Sequence, residues 1–163
     1  VGMYQVGARN MFNYALLKEL GQTKTPVLLK RGFSALVDEW IKAAEYISMG
    51  GNDQIVLCER GIRTFENSTR NTFDLNAVLV AKSKTNFPVV VDPSHAVGIR
   101  EFVPKVALAA AAAGADGLIT EVHPRPSEAL SDGFQALTFE DYRELSENVE
   151  RVLTALGRPM FKL

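Results

Sequence analysis

The sequence predicts a parallel α/β fold, and two observations carry that reading. Apolar, β-favouring runs alternate with stretches of helical spacing five times, at intervals of roughly 20 to 35 residues. The runs are continuously apolar rather than alternating, as strands covered on both faces should be. A third observation bears on function: every one of the five runs ends in charged or metal-binding chemistry.

MYQVG (3–7) is the first expected strand. NMFNYALLKEL (10–20) follows with helical apolar spacing and is stopped by Gly21. PVLLKRG (26–32) is the second strand, and SALVDEWIKAAEYISMGG (34–51) its helix, with Ser34 as N-cap, acids in the first turns and glycines at the end. QIVLCERG (54–61) is the third strand, followed by a polar loop and a helix near 72–84. FPVVVDPSH (87–95) is the fourth, and REFVPKVALAAAAAG (100–114) its helix, with Pro104 tolerable only near the start. GLITEVHP (117–124) is the fifth. The loop RPSEALSDGFQ then leads to a last helix at 138–156, opened by a capping box from Thr138 and Asp141. Residues 1–163 read as one domain, without linker or low-complexity segment.

Apolar content of 47% and charged content of 23% are those of an ordinary globular protein. A formal net charge of −1 gives no global field for nucleic acid or an anionic membrane surface, so any anion site must be a local cluster of cations. The lone cysteine, Cys58, excludes an internal disulfide and points to a reducing, cytoplasmic setting. The longest apolar stretch, VALAAAAAGA (106–115), is too short to span a membrane and reads as a packed helix. The chain opens VGMYQVGARN, with no initiator Met and no loop before the first strand, and reads as starting within a domain.

In parallel α/β folds ligands bind at the carboxyl ends of the strands. Those ends carry two chemical sets here. Arg9, Lys30 and Arg60 come from three different strands and suit a phosphate or carboxylate, unless they are spent on salt bridges to Glu59, Glu66 or Asp92. Arg31 and Arg63 are weaker candidates, because alternation points neighbours elsewhere. His95, Glu121 and Asp132 form the second set, a mixed histidine–carboxylate group suited to Mn²⁺, Fe²⁺ or Zn²⁺; a hydrogen-bonded structural role for His95 stays open. Asp92 and His95 together form the rim of the site at the end of the VVV run. His123 either orients a ligand or serves the turn before Pro124. Cys58 reads as a buried core thiol.

GARNM (7–11), PVLLKRG (26–32), LCERGIRTFE (57–66), TRNTFDL (69–75), VVVDPSHAVG (89–98), EVHPRP (121–126) and ALSDG (129–133) occur in that order. Together they resemble type I 3-deoxy-D-arabino-heptulosonate 7-phosphate (DAHP) synthases of the plain-barrel bacterial and archaeal branch, up to about residue 156. The resemblance implies a (β/α)8 TIM barrel, of which these five units are strands four to eight. It implies condensation of phosphoenolpyruvate with erythrose 4-phosphate, the entry to the shikimate pathway, in a cytoplasmic homo-oligomer that needs a divalent metal. Carried over by motif, Ala8, Arg9, Lys30 and Arg60 bind phosphoenolpyruvate, His95, Glu121 and Asp132 hold the metal, and Lys30 and His95 are catalytic. The sister enzyme using arabinose 5-phosphate, and an inactive fragment that binds phosphorylated ligands, are the alternatives. The family's Gly-Pro-Cys-Ser strand, with its metal-ligating cysteine, and its Lys-Pro-Arg-Thr motif are absent, and Phe12 stands where many relatives carry Gln. A chain lacking three barrel strands is expected to expose two parallel edges, to self-associate and to be weak or inactive alone.

Overall fold

The computed structural model describes residues 1–161; Lys162 and Leu163, the end of the expected 1–163 domain, lie outside the described residues. Strands β1 (Tyr4–Val6), β2 (Val27–Lys30), β3 (Ile55–Glu59), β4 (Val89–Val91) and β5 (Gly117–Leu118) form one sheet in chain order, every neighbouring pair parallel. The helices are α1 (Tyr14–Gly21), α2 (Val37–Ser48), α3 (Leu75–Lys84), α4 (Pro93–Val97), α5 (Val103–Ala112) and α6 (Phe139–Ala155). Short 3₁₀ turns occupy Ala8–Asn10, Arg100–Phe102 and Pro126–Glu128.

The expected α/β architecture is therefore present, and the central strands are buried because helices cover them. Trp40 of α2 is fully buried and its indole N–H donates to the Leu29 carbonyl at 3.1 Å, tying the helix to β2. A second apolar cluster joins Ala96 and Val97 of α4 to Val103 and Ala107 of α5 and to Leu145 and Val149 of α6. α6 opens as expected, with Thr138 Oγ accepting from the Asp141 N–H and the Asp141 carboxylate accepting from the Thr138 N–H.

Element boundaries differ where local capping overrides the apolar period. The first helix begins at Tyr14 rather than Asn10, because the Asn13 side chain accepts from the Leu16 N–H at 3.2 Å. Gly21 does not stop that helix; it lies inside its last turn. Ser34 does not cap the second helix. Leu36 is the cap residue, and its N–H donates to the Glu39 carboxylate at 2.8 Å. The fifth strand is only Gly117–Leu118, paired with Val90 and Val91, and a further parallel bridge joins Val122 to Leu137. The polar end of the fourth run is not strand at all: Asp92 N-caps the short helix α4, its carboxylate accepting from the His95 N–H at 3.0 Å.

Gly21 and Gly50 let the C-terminal ends of α1 and α2 touch. A Cβ on Gly50 would meet the Gly21 backbone at 2.8 Å, and one on Gly21 would meet the Ile47 carbonyl oxygen at 2.6 Å. Gly50→Ala is expected to lower unfolding free energy by about 1–3 kcal/mol, read from the urea midpoint. Gly2→Ala, with nothing within 4 Å, should leave it unchanged.

Among the described residues both outer strands pair on one side only, β1 with β2 and β5 with β4, so the expected pair of open parallel edges is there. Met3 and Tyr4 of the first edge are exposed.

Candidate active site

The strand register sets the site. Lys30 stands beside Cys58, and Glu59 beside Val91, so the carboxyl ends of β2, β3 and β4 finish level. Lys30, Arg60 and Asp92 then emerge together, while the chain beyond β5 carries Glu121 and Asp132 toward them.

Asp92 is the centre of this arrangement. It is fully buried, so it lies beneath the rim rather than on it as expected. Its Oδ2 accepts from Lys30 Nζ at 2.7 Å and meets His95 Nδ1 at 2.7 Å. Burial works to raise this carboxyl, but the hydrogen bond from His95 and the charge of Lys30 outweigh it and hold it below the ordinary carboxylate range. An ionised Asp92 can only accept, so it fixes the proton on Nδ1 and leaves the Nε2 lone pair facing outward.

That lone pair faces the other two predicted metal residues. His95 Nε2 is 3.6 Å from Glu121 Oε1 and 3.9 Å from Asp132 Oδ2. Two metal–ligand bonds of about 2.1 Å at tetrahedral to octahedral angles would separate their donor atoms by about 3.0–3.4 Å. The trio is thus slightly wider than a closed shell, and among the described residues no three His, Cys, Asp or Glu side chains already form one. The donor chemistry fits a divalent cation, because an imidazole nitrogen and two carboxylates converge. Glu121 is placed by its N–H, which donates to Ser94 Oγ at 3.0 Å. Asp132 has φ of 55°, an unusual conformation for a non-glycine residue, and its Oδ1 accepts from Arg70 Nη1 at 3.0 Å and from Gln135 Nε2. Arg100 Nη2 supports the same loop by donating to the Gly133 carbonyl at 3.0 Å.

The predicted cations divide. Lys30 forms the salt bridge to Asp92 that was the competing reading, yet it also sits at the site edge. Arg60 is buried, and its Nη1 has no hydrogen-bond partner. Burial lowers the proton affinity of its guanidinium. Arg9 is exposed and follows Ala8 in the 3₁₀ turn after β1, next to Gly32. Glu66, once a possible partner, accepts from the Ser68 hydroxyl and the Asn67 and Ser68 N–H groups instead.

Arg31 behaves as alternation predicts. It points away from the site into a buried network, donating from Nη1 to Glu59 at 2.9 Å and to Asp74 at 2.9 Å. Burial works against its charge, but the two carboxylates outweigh that and raise its proton affinity. Arg63 does not behave so. The strand ends at Glu59, and Gly61 at φ +83° turns the chain, so the alternation argument no longer applies. Arg9, Arg60 and Arg63 all place their guanidinium carbons over the ring of Phe33, at 5.4, 4.7 and 4.7 Å from its centroid.

Two ambiguous residues resolve. Cys58 is a buried core thiol, its pKa pushed up by burial first and by the Asp92 charge second. His123 serves its turn, with Nδ1 accepting from the Arg125 N–H at 3.1 Å. Sequence reasoning missed Asp92 as the link between the two sets; its i, i+3 spacing to His95 was the available signal. Gln135, three residues from Asp132, carried the same kind of i, i+3 signal, whereas Arg70 and Phe33 carried none, since each acts on residues distant in the chain.

The profile of the DAHP synthetase I family matches residues 1–156.

The chain belongs to that family.

It is 50% identical over 153 residues to phospho-2-dehydro-3-deoxyheptonate aldolase of Thermotoga maritima, covering 94% of this chain and 45% of the relative. It is 36% identical over 144 residues to 2-dehydro-3-deoxyphosphooctonate aldolase of Alkalilimnicola ehrlichii, covering 82% of this chain and 51% of that one. The crystal structure of the Thermotoga DAHP synthase superimposes with a TM-score of 0.95 at 49% identity, over 97% of this chain and 47% of that chain. A truncated form of the same synthase matches with the same TM-score and identity, over 60% of its chain. The fold is therefore the corresponding part of the DAHP synthase barrel, and the chain spans about half the length of the curated relatives it matches. Among the described residues no helix is long and apolar enough to cross a membrane.

Proposed function

We propose that residues 1–163 supply the carboxyl-edge chemistry of a DAHP synthase, joining phosphoenolpyruvate to erythrose 4-phosphate with release of phosphate. The observation that carries this is Asp92, whose one oxygen holds both Lys30 of the cation set and His95 of the histidine–carboxylate set, each at 2.7 Å. Two sites with different ligands are thereby fixed beside one another, as a two-substrate condensation requires.

Arg9, Arg60 and Lys30, with the Ala8 backbone, bind the anionic groups of phosphoenolpyruvate. Arg60 is suited to this because its guanidinium is already desolvated and lacks a partner. Binding orients carbon 3 of the enol toward the aldehyde of erythrose 4-phosphate. A carbon–carbon bond forms, water adds at carbon 2, and the bond from carbon 2 to the phosphate oxygen breaks to release inorganic phosphate. The cations offset the charge carried through these steps, and Lys30, held by Asp92, transfers a proton near the enol carbon: the aldehyde oxygen takes up one proton as the carbon–carbon bond forms, the water added at carbon 2 gives one up, and carbon 3 keeps both its hydrogens. His95, Glu121 and Asp132 would hold a divalent ion, Mn²⁺, Fe²⁺ or Zn²⁺, which supplies Lewis acidity toward the aldehyde when bound. A cytoplasmic setting agrees with the free buried thiol of Cys58. The open edges at β1 and β5 support assembly with further chain, as a homo-oligomer.

The relatives named 2-dehydro-3-deoxyphosphooctonate aldolase favour a second reading, in which the aldose is arabinose 5-phosphate. The test is consumption of phosphoenolpyruvate by this chain with Mn²⁺ and either sugar phosphate, with a chelator control. Chelator-sensitive loss with erythrose 4-phosphate alone is the expected result. Loss with arabinose 5-phosphate alone transfers the assignment to the sister reaction. Binding without turnover leaves a phospho-ligand-binding fragment.

A further inference from the structure

Core packing does not explain Phe33. It is half-buried and belongs to neither apolar cluster, although it directly follows the buried Lys30–Gly32 segment. Its ring neighbours are instead three guanidiniums, those of Arg9, Arg60 and Arg63. Their distances to one centroid place every pair within about 10 Å, roughly a Debye length in dilute salt, so the charges repel one another. Among the described residues none of the three has a carboxylate partner. The exposed Arg63 has Glu66 three residues away in sequence and stacks on Phe33 instead. The backbone enforces this: the Arg63 N–H donates to the Phe33 carbonyl at 2.7 Å, and Ile62 pairs with Thr72 in an antiparallel bridge that pins the turn.

A benzene ring presents a negative face to cations and asks for no counter-charge. It can therefore gather guanidiniums while leaving their N–H groups free for a ligand, which a carboxylate would not. We propose that Phe33 is a positioning residue that assembles Arg9, Arg60 and Arg63 into one anion site, making Arg63 a further binding residue for phosphoenolpyruvate. This rests on the reading of Arg9 and Arg60 as the phosphoenolpyruvate site. It adds a cation that strand alternation had set aside, and it gives a reason for like charges to stand together before any anion arrives.

The experiment is calorimetric titration of phosphoenolpyruvate into this chain and its variants over a series of KCl concentrations, with far-UV circular dichroism as a fold check. Phe33→Leu keeps an apolar side chain and removes the ring; it should weaken binding about fivefold to tenfold. Phe33→Trp keeps the ring face and should bind as tightly as the parent, a rescue that loss of packing alone would not give. Arg63→Gln should weaken binding and flatten its salt dependence, because one fewer cation meets the anion. Parental affinity in Phe33→Leu, or a parental salt slope in Arg63→Gln, overturns the proposal while the anion site itself stands. Absence of binding in the parent overturns both, and so the two failures are told apart.

Discussion

Asp92→Asn is expected to destabilise the protein by about 3–5 kcal/mol, because it leaves the buried Lys30 ammonium without its carboxylate. The substitution changes few atoms, so the effect reports charge and hydrogen bonding rather than volume. With the amide oxygen accepting from the His95 N–H, the amide nitrogen would face both Lys30 Nζ and His95 Nδ1, donor against donor. His95 relieves this by moving its proton to Nε2, which removes the lone pair facing Glu121 and Asp132. Mn²⁺ affinity should therefore fall by about 10–100-fold, as for other groups that orient a ligating imidazole. Urea unfolding and Mn²⁺ titration measure the two effects. The pH dependence has a defined sign. The Asp92 carboxyl lies below its ordinary value in the folded state, so its stabilisation is present above the ordinary carboxylate pKa. It is lost as pH falls through the lower folded value. The stability gap between parent and variant should thus be full at neutral pH and shrink in acid. A variant with parental stability at neutral pH would show that the Lys30–Asp92 pair contributes nothing net.

Arg60→Met is expected to act in opposite directions on binding and on stability. Arg60 is buried, with Nη1 unpartnered, so folding without ligand carries an uncompensated desolvated charge. Methionine covers similar apolar contacts without that charge, and the unliganded chain should become more stable by about 1 kcal/mol. Phosphoenolpyruvate affinity should fall at least about thirtyfold, since a desolvated charge partner is removed. Ligand at a hundred times the parent's Kd stabilises the parent by about 2.7 kcal/mol, and the same concentration should stabilise a variant that binds about thirtyfold more weakly by less than about 1 kcal/mol. Thermal melting with and without phosphoenolpyruvate reads both effects in one experiment. A variant that is less stable without ligand would mean that the stacking of Arg60 on Phe33 outweighs its desolvation.

The two variants together show what was legible before the fold was seen. Arg60, Lys30 and His95 are visible in sequence because each lies at or within four residues of the end of an apolar run, and parallel strands must deliver their ends to one side. The helix boundaries were less legible. Asn13, Asp74 and Glu39 set them through single side-chain hydrogen bonds, which an apolar period averages away. Arg63 was misjudged because alternation was applied past Glu59, where Gly61 at φ +83° had already ended the strand geometry.

The sequence by itself determined that this protein is a parallel α/β chain with cations and a histidine–carboxylate set at the strand ends, because burial on both faces and strand direction are local consequences of residue order. Only the tertiary structure decided which of those charges are spent and which are free. Lys30 and Arg31 are adjacent in sequence, yet one meets Asp92 at the site and the other is buried between Glu59 and Asp74. Arg60 keeps an unpartnered Nη1 and shares Phe33 with Arg9 and Arg63. Pairing of charges depends on distances across strands and loops far apart in the chain, and the parallel register fixes those distances only once the sheet has formed.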